Sequence, residues 1–246
     1  PVQIDYALER LPRSAVLAEG EAPAPVTHIK LYNSGNFFDA RAIPPEDHAD
    51  IIARVRQFET VIVENHPRLC GPPCVEFRDR LERDFEIALG LETIHPEVLP
   101  RLNKQMTLGD FDRAVEGLHA AGIRTRAFIL LRPPFLSEAE GVKWALRSME
   151  HAFSVGVNCC SLVPTRGGNG MMERLAAAGL YAPPALTSLE TVLSAGLQLG
   201  QGRVFMDLWD AERFAHCPDC APRRIARLRR MNLTQRAEPM VHCHCE

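Results

Sequence analysis

The sequence predicts an α/β protein built on a parallel sheet, and three observations carry that expectation. Short apolar, β-rich runs alternate with helical patterns from Thr27 to about Leu162, as repeated βαβ units require. The helical stretches carry their own start and stop signals. Polar clusters follow the strand candidates, where a parallel sheet places its ligand-facing loops. At 246 residues, 46% hydrophobic and 24% charged, the chain is long enough to bury one sizeable core.

In chain order, Val2 to Leu11 (VQIDYALERL) reads as a helix that belongs to the middle of a structural unit, so a preceding element is expected upstream of Pro1. Glu19 to Pro25, with three Ala and two Pro, reads as a surface connection. Strands are expected at His28–Tyr32, Thr60–Val63, Phe85–Leu91, Ile123–Leu131, Val157–Val163 and from Arg203 to Leu208. Thr107 opens a helix with Leu108, Phe111, Ala114, Val115 and Leu118 on one face and Gly122 as its stop. Ser137 and Glu140 form a capping box before Val142, Ala145, Leu146, Met149 and Phe153, with Gly156 as terminator. Thr187 and Glu190 repeat that device before Val192, Leu193 and Leu197. From Ala211 the composition turns Cys- and Arg-rich, which divides the chain into a barrel-forming part, 1–210, and a tail, 211–246.

Bulk charge excludes some classes. The 28 basic and 31 acidic residues give no whole-chain attraction to nucleic acid and leave room only for a local basic patch. No apolar run approaches the ~20 residues a spanning helix needs, so no membrane role is expected and the reading is cytoplasmic. Eight cysteines in a chain of this size without a signal sequence point to reduced thiols and metal ligation rather than disulfides.

Four of those cysteines stand in the tail. Cys217-Pro-Asp-Cys220 and Cys243-His-Cys245 are two chelating pairs, the arrangement of a closed tetrahedral site, with zinc ahead of an auxiliary iron-sulfur cluster. His242 and His244 are alternative ligands. Between the pairs, Arg223, Arg227 and Arg230 fall on one face of a helix opened by Pro222, opposite Ile225 and Leu228. That face suits an RNA phosphate backbone; the alternative is a solvated face with local ion pairs.

The strand-end clusters are Asn33-Ser34-Gly35-Asn36, Glu64-Asn65-His66, Glu92-Thr93, Arg132-Pro133-Pro134, Thr165 to Asn169, and Asp207 through Asp210. No Ser/His/Asp set, Walker loop or GxGxxG competes for them. Gly167-Gly168-x-Gly170 has the glycines of a phosphate loop but not its Lys or length. No catalytic residue is identifiable.

Five stretches in order carry a family resemblance: KLYNSGNFFD (Lys30 to Asp39), the Phe85 to Ile123 run FEIALGLETIHPEVLPRLNKQMTLGDFDRAVEGLHAAGI with its LNK at Leu102 to Lys104, LLRPPFLSE (Leu130 to Glu138), the Cys-rich end, and MN-x-x-Q at Met231 to Gln235. They resemble the radical S-adenosylmethionine (SAM) superfamily, in particular the archaeosine-synthesis proteins and their bacterial relatives, beside the methylthiotransferase and elongator-catalytic-subunit branch. The resemblance covers nearly the whole chain. It implies a partial parallel (β/α)6 barrel of the TIM type, SAM and a four-iron four-sulfur cluster as cofactors, and reductive cleavage of SAM to a 5′-deoxyadenosyl radical. An electron donor such as ferredoxin or flavodoxin and a tRNA nucleobase substrate follow from it.

Residue by residue, the resemblance gives Asn33, Ser34 and Gly35 to the methionine amino group of SAM, and Glu92 to its ribose or amino-acid part. Val163, with Pro164, falls on the segment that packs against adenine. Arg132 is either a partner of the SAM carboxylate or an ion pair at the barrel rim. The departure is the absence of CxxxCxxC: Cys70 and Cys74 have only part of the spacing, and Cys159 and Cys160 read as buried small apolar residues. Cluster ligands are therefore expected upstream, and the 246 residues alone are expected to be inactive. Radical chemistry on a small metabolite or peptide, or a cluster-free metal-dependent binding module, are the other readings. The oligomeric state is open.

Overall fold

The structure is a computed structural model and describes residues 1–11, 14, 15, 24–32, 35–243 and 245. In chain order the elements are α1 (Val2–Leu8), β1 (Ser14–Ala15), β2 (Ala24–Pro25), β3 (His28–Leu31), α2 (His48–Val55), β4 (Thr60–Asn65), α3 (Pro72–Leu81) and β5 (Asp84–Glu92). They continue with α4 (Val98–Arg101), α5 (Leu108–Ala120), β6 (Arg124–Leu131), α6 (Glu138–Ser154), β7 (Cys159–Pro164), α7 (Met171–Ala177), α8 (Leu186–Gln198), β8 (Arg203–Met206) and α9 (Ala221–Thr234). Strands β3 to β8 are ordered in one six-stranded sheet as they occur in the sequence, which is the α/β class expected. Much of the expected Glu19 to Pro25 connection lies outside the described residues; its end, Ala24–Pro25, pairs antiparallel with Ser14–Ala15. No helix among the described residues is long and apolar enough to cross a membrane.

Two compact units divide the chain, Pro1–Gly90 with Gly109–Arg126, and Leu91–Leu108 with Ala127–Glu246. Residues 211–246 thus fall within the second unit, and β5 and β6 each cross the division.

In the first unit, His28 pairs with Thr60 and Thr60 with Asp84, in parallel register. β4 and β5 are buried along nearly their whole length, as strands covered on both faces are. Around them Phe37, Phe38, His48 and Phe77 form an aromatic cluster with centroid separations of 5.0 to 5.8 Å. Glu86, fully buried on β5, is compensated by Arg126 Nε at 2.6 Å.

The second unit is organised by α6, α8 and α9. The expected capping box of α6 is present: Ser137 Oγ accepts the Glu140 amide, and Glu140 accepts the Ser137 amide at 2.9 Å. The box expected at Thr187 and Glu190 is not. Helix α8 begins at Leu186, so Thr187 already lies within it, and Ala185 is the N-cap residue with no side-chain cap. The Ala185 amide and the Ser188 hydroxyl are bound by Glu138 instead. Glu190 is buried and binds Arg224 and Arg227 of α9.

Helix α9 closes the last strand. Asn232 accepts the Met206 amide at 2.9 Å and donates to its carbonyl at 2.8 Å; Gln235 does the same for Val204 at 2.8 and 2.9 Å. Two side-chain amides three residues apart thus satisfy the outer edge of β8, which would otherwise offer bare backbone groups to another strand. This accounts physically for the Met231 to Gln235 element.

Candidate functional site

In the first unit, Asn33 and Ser34 lie outside the described residues. Gly35 follows β3 in a half-buried bend. The segment after it is tied to the end of β4: the Phe37 amide donates to the Glu64 carbonyl at 2.8 Å and the Phe38 amide to Asn65 Oδ1 at 3.2 Å.

Cys70 and Cys74 stand beyond that strand end. Cys74 is buried in the first turns of α3, Cys70 is half-buried, and Asn65 Nδ2 donates to the Cys70 sulfur at 3.5 Å. Each thiol donates to a backbone carbonyl, Cys70 to His66 at 3.6 Å and Cys74 to Leu69 at 3.9 Å; the neighbouring Cys74 thiol, with burial adding to it, pushes Cys70 up, and Cys70 draws Cys74 down. They are two thiols and supply no third thiolate.

In the second unit, Glu92 ends β5 in the left-handed region (φ 64). Its side chain is 12% exposed and pairs with Lys104 Nζ at 2.8 Å. Asn103 and Gln105 on either side of that lysine are also left-handed, at φ 53 and 52. Such non-glycine conformations cost of order 1–3 kcal/mol each and persist where surrounding structure holds them. The turn after Glu92 is fastened as well, the Ile94 amide donating to Ser148 Oγ at 3.1 Å. The Leu102 to Lys104 motif stands out in the sequence, but the meeting of its lysine with Glu92 exists only in the fold.

Arg132 follows β6, also left-handed at φ 54. A Cβ at Gly141 would lie 2.7 Å from the Arg132 Cβ, so only glycine lets α6 pack there. Arg132 Nη1 donates to Glu138 Oε2 and, at 2.7 Å, to the Pro183 carbonyl, an ion pair at the strand end. A ligand carboxylate would compete with Glu138. Val163 is the half-buried position of β7 among buried neighbours, and Cys159 and Cys160 are fully buried as expected.

The glycines after β7 are engaged internally. The Gly168 amide donates to Glu173 Oε1, whose carboxyl is held below its usual range by its own backbone N–H first and that of Gly168 second. An internal carboxylate thus takes the donors a phosphate would use.

The tail brings its four cysteines together. The sulfurs of Cys217, Cys220, Cys243 and Cys245 lie within 4.8 Å of one another, with Cys217 to Cys243 at 3.9 Å and Cys220 to Cys245 at 3.7 Å. Four thiolates about 2.3 Å from one tetrahedral ion are separated by about 3.8 Å. These separations fit one ion. A polynuclear iron-sulfur cluster sets thiolates on different irons and needs them farther apart. His242 is exposed and His244 lies outside the described residues. Cys217 is brought down to about 7, mainly by the backbone N–H of Cys220, and Cys245 is pushed up to about 12 by the neighbouring thiols Cys243 and Cys217.

The arginine face expected on α9 needs correction. Arg223 and Arg230 are exposed, but Arg227 is 2% exposed and donates to Glu190 Oε1 at 3.2 Å and to the Glu238 carbonyl. Arg224, also buried, binds Glu190 through Nε at 3.0 Å and through Nη2, and reaches Cys220 Sγ with Nη1 at 3.9 Å. One acid on α8 therefore turns two of the helix's arginines inward. Arg230 pairs with Glu238 at 2.8 Å.

No protein-family model matches the chain. By sequence it is 31% identical over 177 residues, 67% of its length and 53% of the relative's, to archaeosine synthase subunit beta of Thermococcus kodakarensis. It is 27% identical over 235 residues, 89% of its length and 66% of the relative's, to the protein of that name in Methanosarcina acetivorans. The chain thus spans between about half and two thirds of these curated relatives. Among solved structures, an N-terminally deleted Elp3 of Methanocaldococcus infernus superposes with a TM-score of 0.63 at 14% identity, over 85% of this chain and 56% of that one, and so shares the fold.

Proposed function

Because this chain belongs to the radical SAM superfamily, beside the archaeosine synthase β subunits, we propose that it forms the SAM-holding and RNA-docking part of a cytoplasmic enzyme that modifies a nucleobase in tRNA. The observation that carries the substrate class is the 31% identity to a protein named archaeosine synthase subunit beta. The proposal gives Glu92, Arg132 and Val163 to SAM. Glu92, positioned by Lys104 and its left-handed backbone, accepts hydrogen bonds from the ribose or amino-acid part. Val163 offers an apolar contact to the adenine. Arg132 takes the carboxylate only by exchanging Glu138 for it. The roles that the resemblance gives Asn33, Ser34 and Gly35 stand as part of the same proposal.

The cluster does not fit these 246 residues. Cys70 and Cys74 are two thiols, Cys159 and Cys160 are buried on β7, and the other four already surround one point. The proposal has the cluster ligands supplied from outside this segment, and no electron-transfer step is derived from the chain itself. The four tail thiolates are proposed to hold zinc, a site whose excess negative charge faces Arg224.

A second reading, radical chemistry on a small metabolite or peptide, gains one observation: Arg227 is packed inside rather than presented to RNA. The two readings separate in one experiment. The enzyme carrying its cluster loop is incubated without oxygen with dithionite, SAM and unmodified tRNA, and the tRNA nucleosides are read by mass spectrometry. A tRNA-dependent rise in 5′-deoxyadenosine with a new nucleoside mass supports the proposal; turnover indifferent to tRNA overturns it in favour of the second reading.

A further inference from the structure

The turn after β8 puts an indole into solvent and fixes the backbone beneath it. Trp209 is 72% exposed. Its amide donates to Asp207 Oδ1 at 2.9 Å, and its carbonyl accepts Arg166 Nη2. Arg166 Nη1 is itself bound to Asp207 Oδ2 at 2.8 Å. Asp210, the next residue, is left-handed at φ 55, and Arg213 binds its carboxylate at 3.2 Å. The Arg166 guanidinium lies 5.6 Å from the Trp209 ring centroid and 5.3 Å from that of buried Phe214. The backbone that carries the ring is therefore fixed before anything binds it, on a turn at the carboxyl end of a sheet strand.

The surroundings select the occupant. A protein partner or a second copy would want a contiguous apolar patch, whereas Trp209 is flanked in sequence by Asp207, Asp210, Glu212 and Arg213. Residues 203–238 hold eight arginines against five acids in a chain whose net charge is −3. Arg224 and Arg227 are spent on Glu190; Arg213, Arg229 and Arg230 are exposed and pair with Asp210, Glu212 and Glu238 at the surface, and Arg223 and Arg236 are exposed as well. A flat apolar face within a locally cationic stretch matches a polyanion that carries flat apolar groups, which is unpaired RNA.

We propose that Trp209 is a stacking platform for an unpaired nucleobase of the RNA substrate, with exposed arginines of residues 213–236 contacting its phosphates. This rests on the tRNA reading above and adds to it a named contact. Stacking on an aromatic ring is indifferent to base identity, so Trp209 contributes affinity and placement rather than sequence choice.

The chain has two tryptophans, and Trp144, tilted against His95 with ring centroids 4.4 Å apart, is the other. Trp144→Phe therefore leaves Trp209 as the sole indole reporter. In that protein, acrylamide is expected to quench the emission efficiently, and unmodified tRNA to quench it saturably at fixed salt. Trp209→Ala is expected to weaken tRNA binding about five- to one-hundred-fold with an unchanged circular dichroism spectrum, and Trp209→Phe to restore most of it. If wild-type protein binds tRNA while Trp209 emission and the Trp209→Ala affinity do not change, the stacking contact is overturned and the tRNA reading stands. Emission shielded from acrylamide in free protein would mean that protein already covers the ring, and would overturn the contact too. No tRNA binding by wild type overturns both.

Discussion

Replacing Glu190 with Ala removes the carboxylate of α8 that Arg224 and Arg227 of α9 share. Its side chain is 3% exposed and receives Arg224 and Arg227, themselves 8% and 2% exposed. Neither guanidinium can lose its proton, and neither lies where water replaces the lost partner. Removing one member of a buried pair costs about 3–5 kcal/mol, because an uncompensated charge remains. At roughly 2–4 °C per kcal/mol for a chain of this size, Glu190→Ala should melt about 6–20 °C below wild type. Glu190→Gln, which keeps volume and hydrogen bonding but not charge, should recover only part of that. Replacing all three residues together with Leu and Met should recover most, since the desolvation of three charges is then avoided. Differential scanning fluorimetry on the four proteins reads this directly. A Glu190→Ala protein melting within about 3 °C of wild type would refute the buried network, showing that both arginines reach solvent when released.

Three further outcomes are expected. Cys220→Ser with Cys243→Ser should abolish the roughly one zinc per chain measured by elemental analysis of protein purified without oxygen; unchanged metal content would remove these sulfurs as ligands. Glu92→Ala in enzyme carrying its cluster should weaken SAM binding and turnover without lowering the melting temperature, because it removes a pocket group and no core volume; wild-type SAM affinity would take Glu92 out of the site. His48 is held below its ordinary 6.5 by burial first and by Arg80 second, against Asp47 and Glu46, so the unfolded chain takes up a proton more readily than the folded one. The stability this confers is present above about pH 6.5 and is lost as pH falls through the window below it; urea midpoints at pH 7.5 and 5.5 should drop less in His48→Phe than in wild type, and equal drops would refute the assignment.

Much of this was legible in the sequence, because periodicity and capping are local. All six sheet strands fall within two residues of their expected ends, and Ser137 and Glu140 cap α6 as their spacing requires. The four-thiol site was legible too, since CxxC and CxC each chelate locally whatever the fold between them does. What was not legible depends on partners distant in sequence. Thr187 and Glu190 have the spacing of a cap, yet Glu190 answers to Arg224 and Arg227, more than thirty residues away. For the same reason the helical wheel of α9 gave Arg227 to solvent. Lys104 opposite Glu92 and Trp209 above Arg166 are tertiary meetings, and only the left-handed backbone at Glu92, Asn103, Gln105 and Asp210 marks them.

The central claim is radical SAM chemistry with cluster ligands outside these 246 residues, and one assay tests it most directly. Both the 246-residue chain and a chain carrying the cluster loop are reconstituted with iron and sulfide without oxygen, reduced with dithionite and given SAM, and 5′-deoxyadenosine is followed by chromatography. The account predicts that the longer chain forms it and the shorter one does not. Stoichiometric cleavage by the shorter chain, which would make cluster ligands of cysteines assigned here to other roles, would contradict it, as would a reconstituted longer chain that leaves SAM intact.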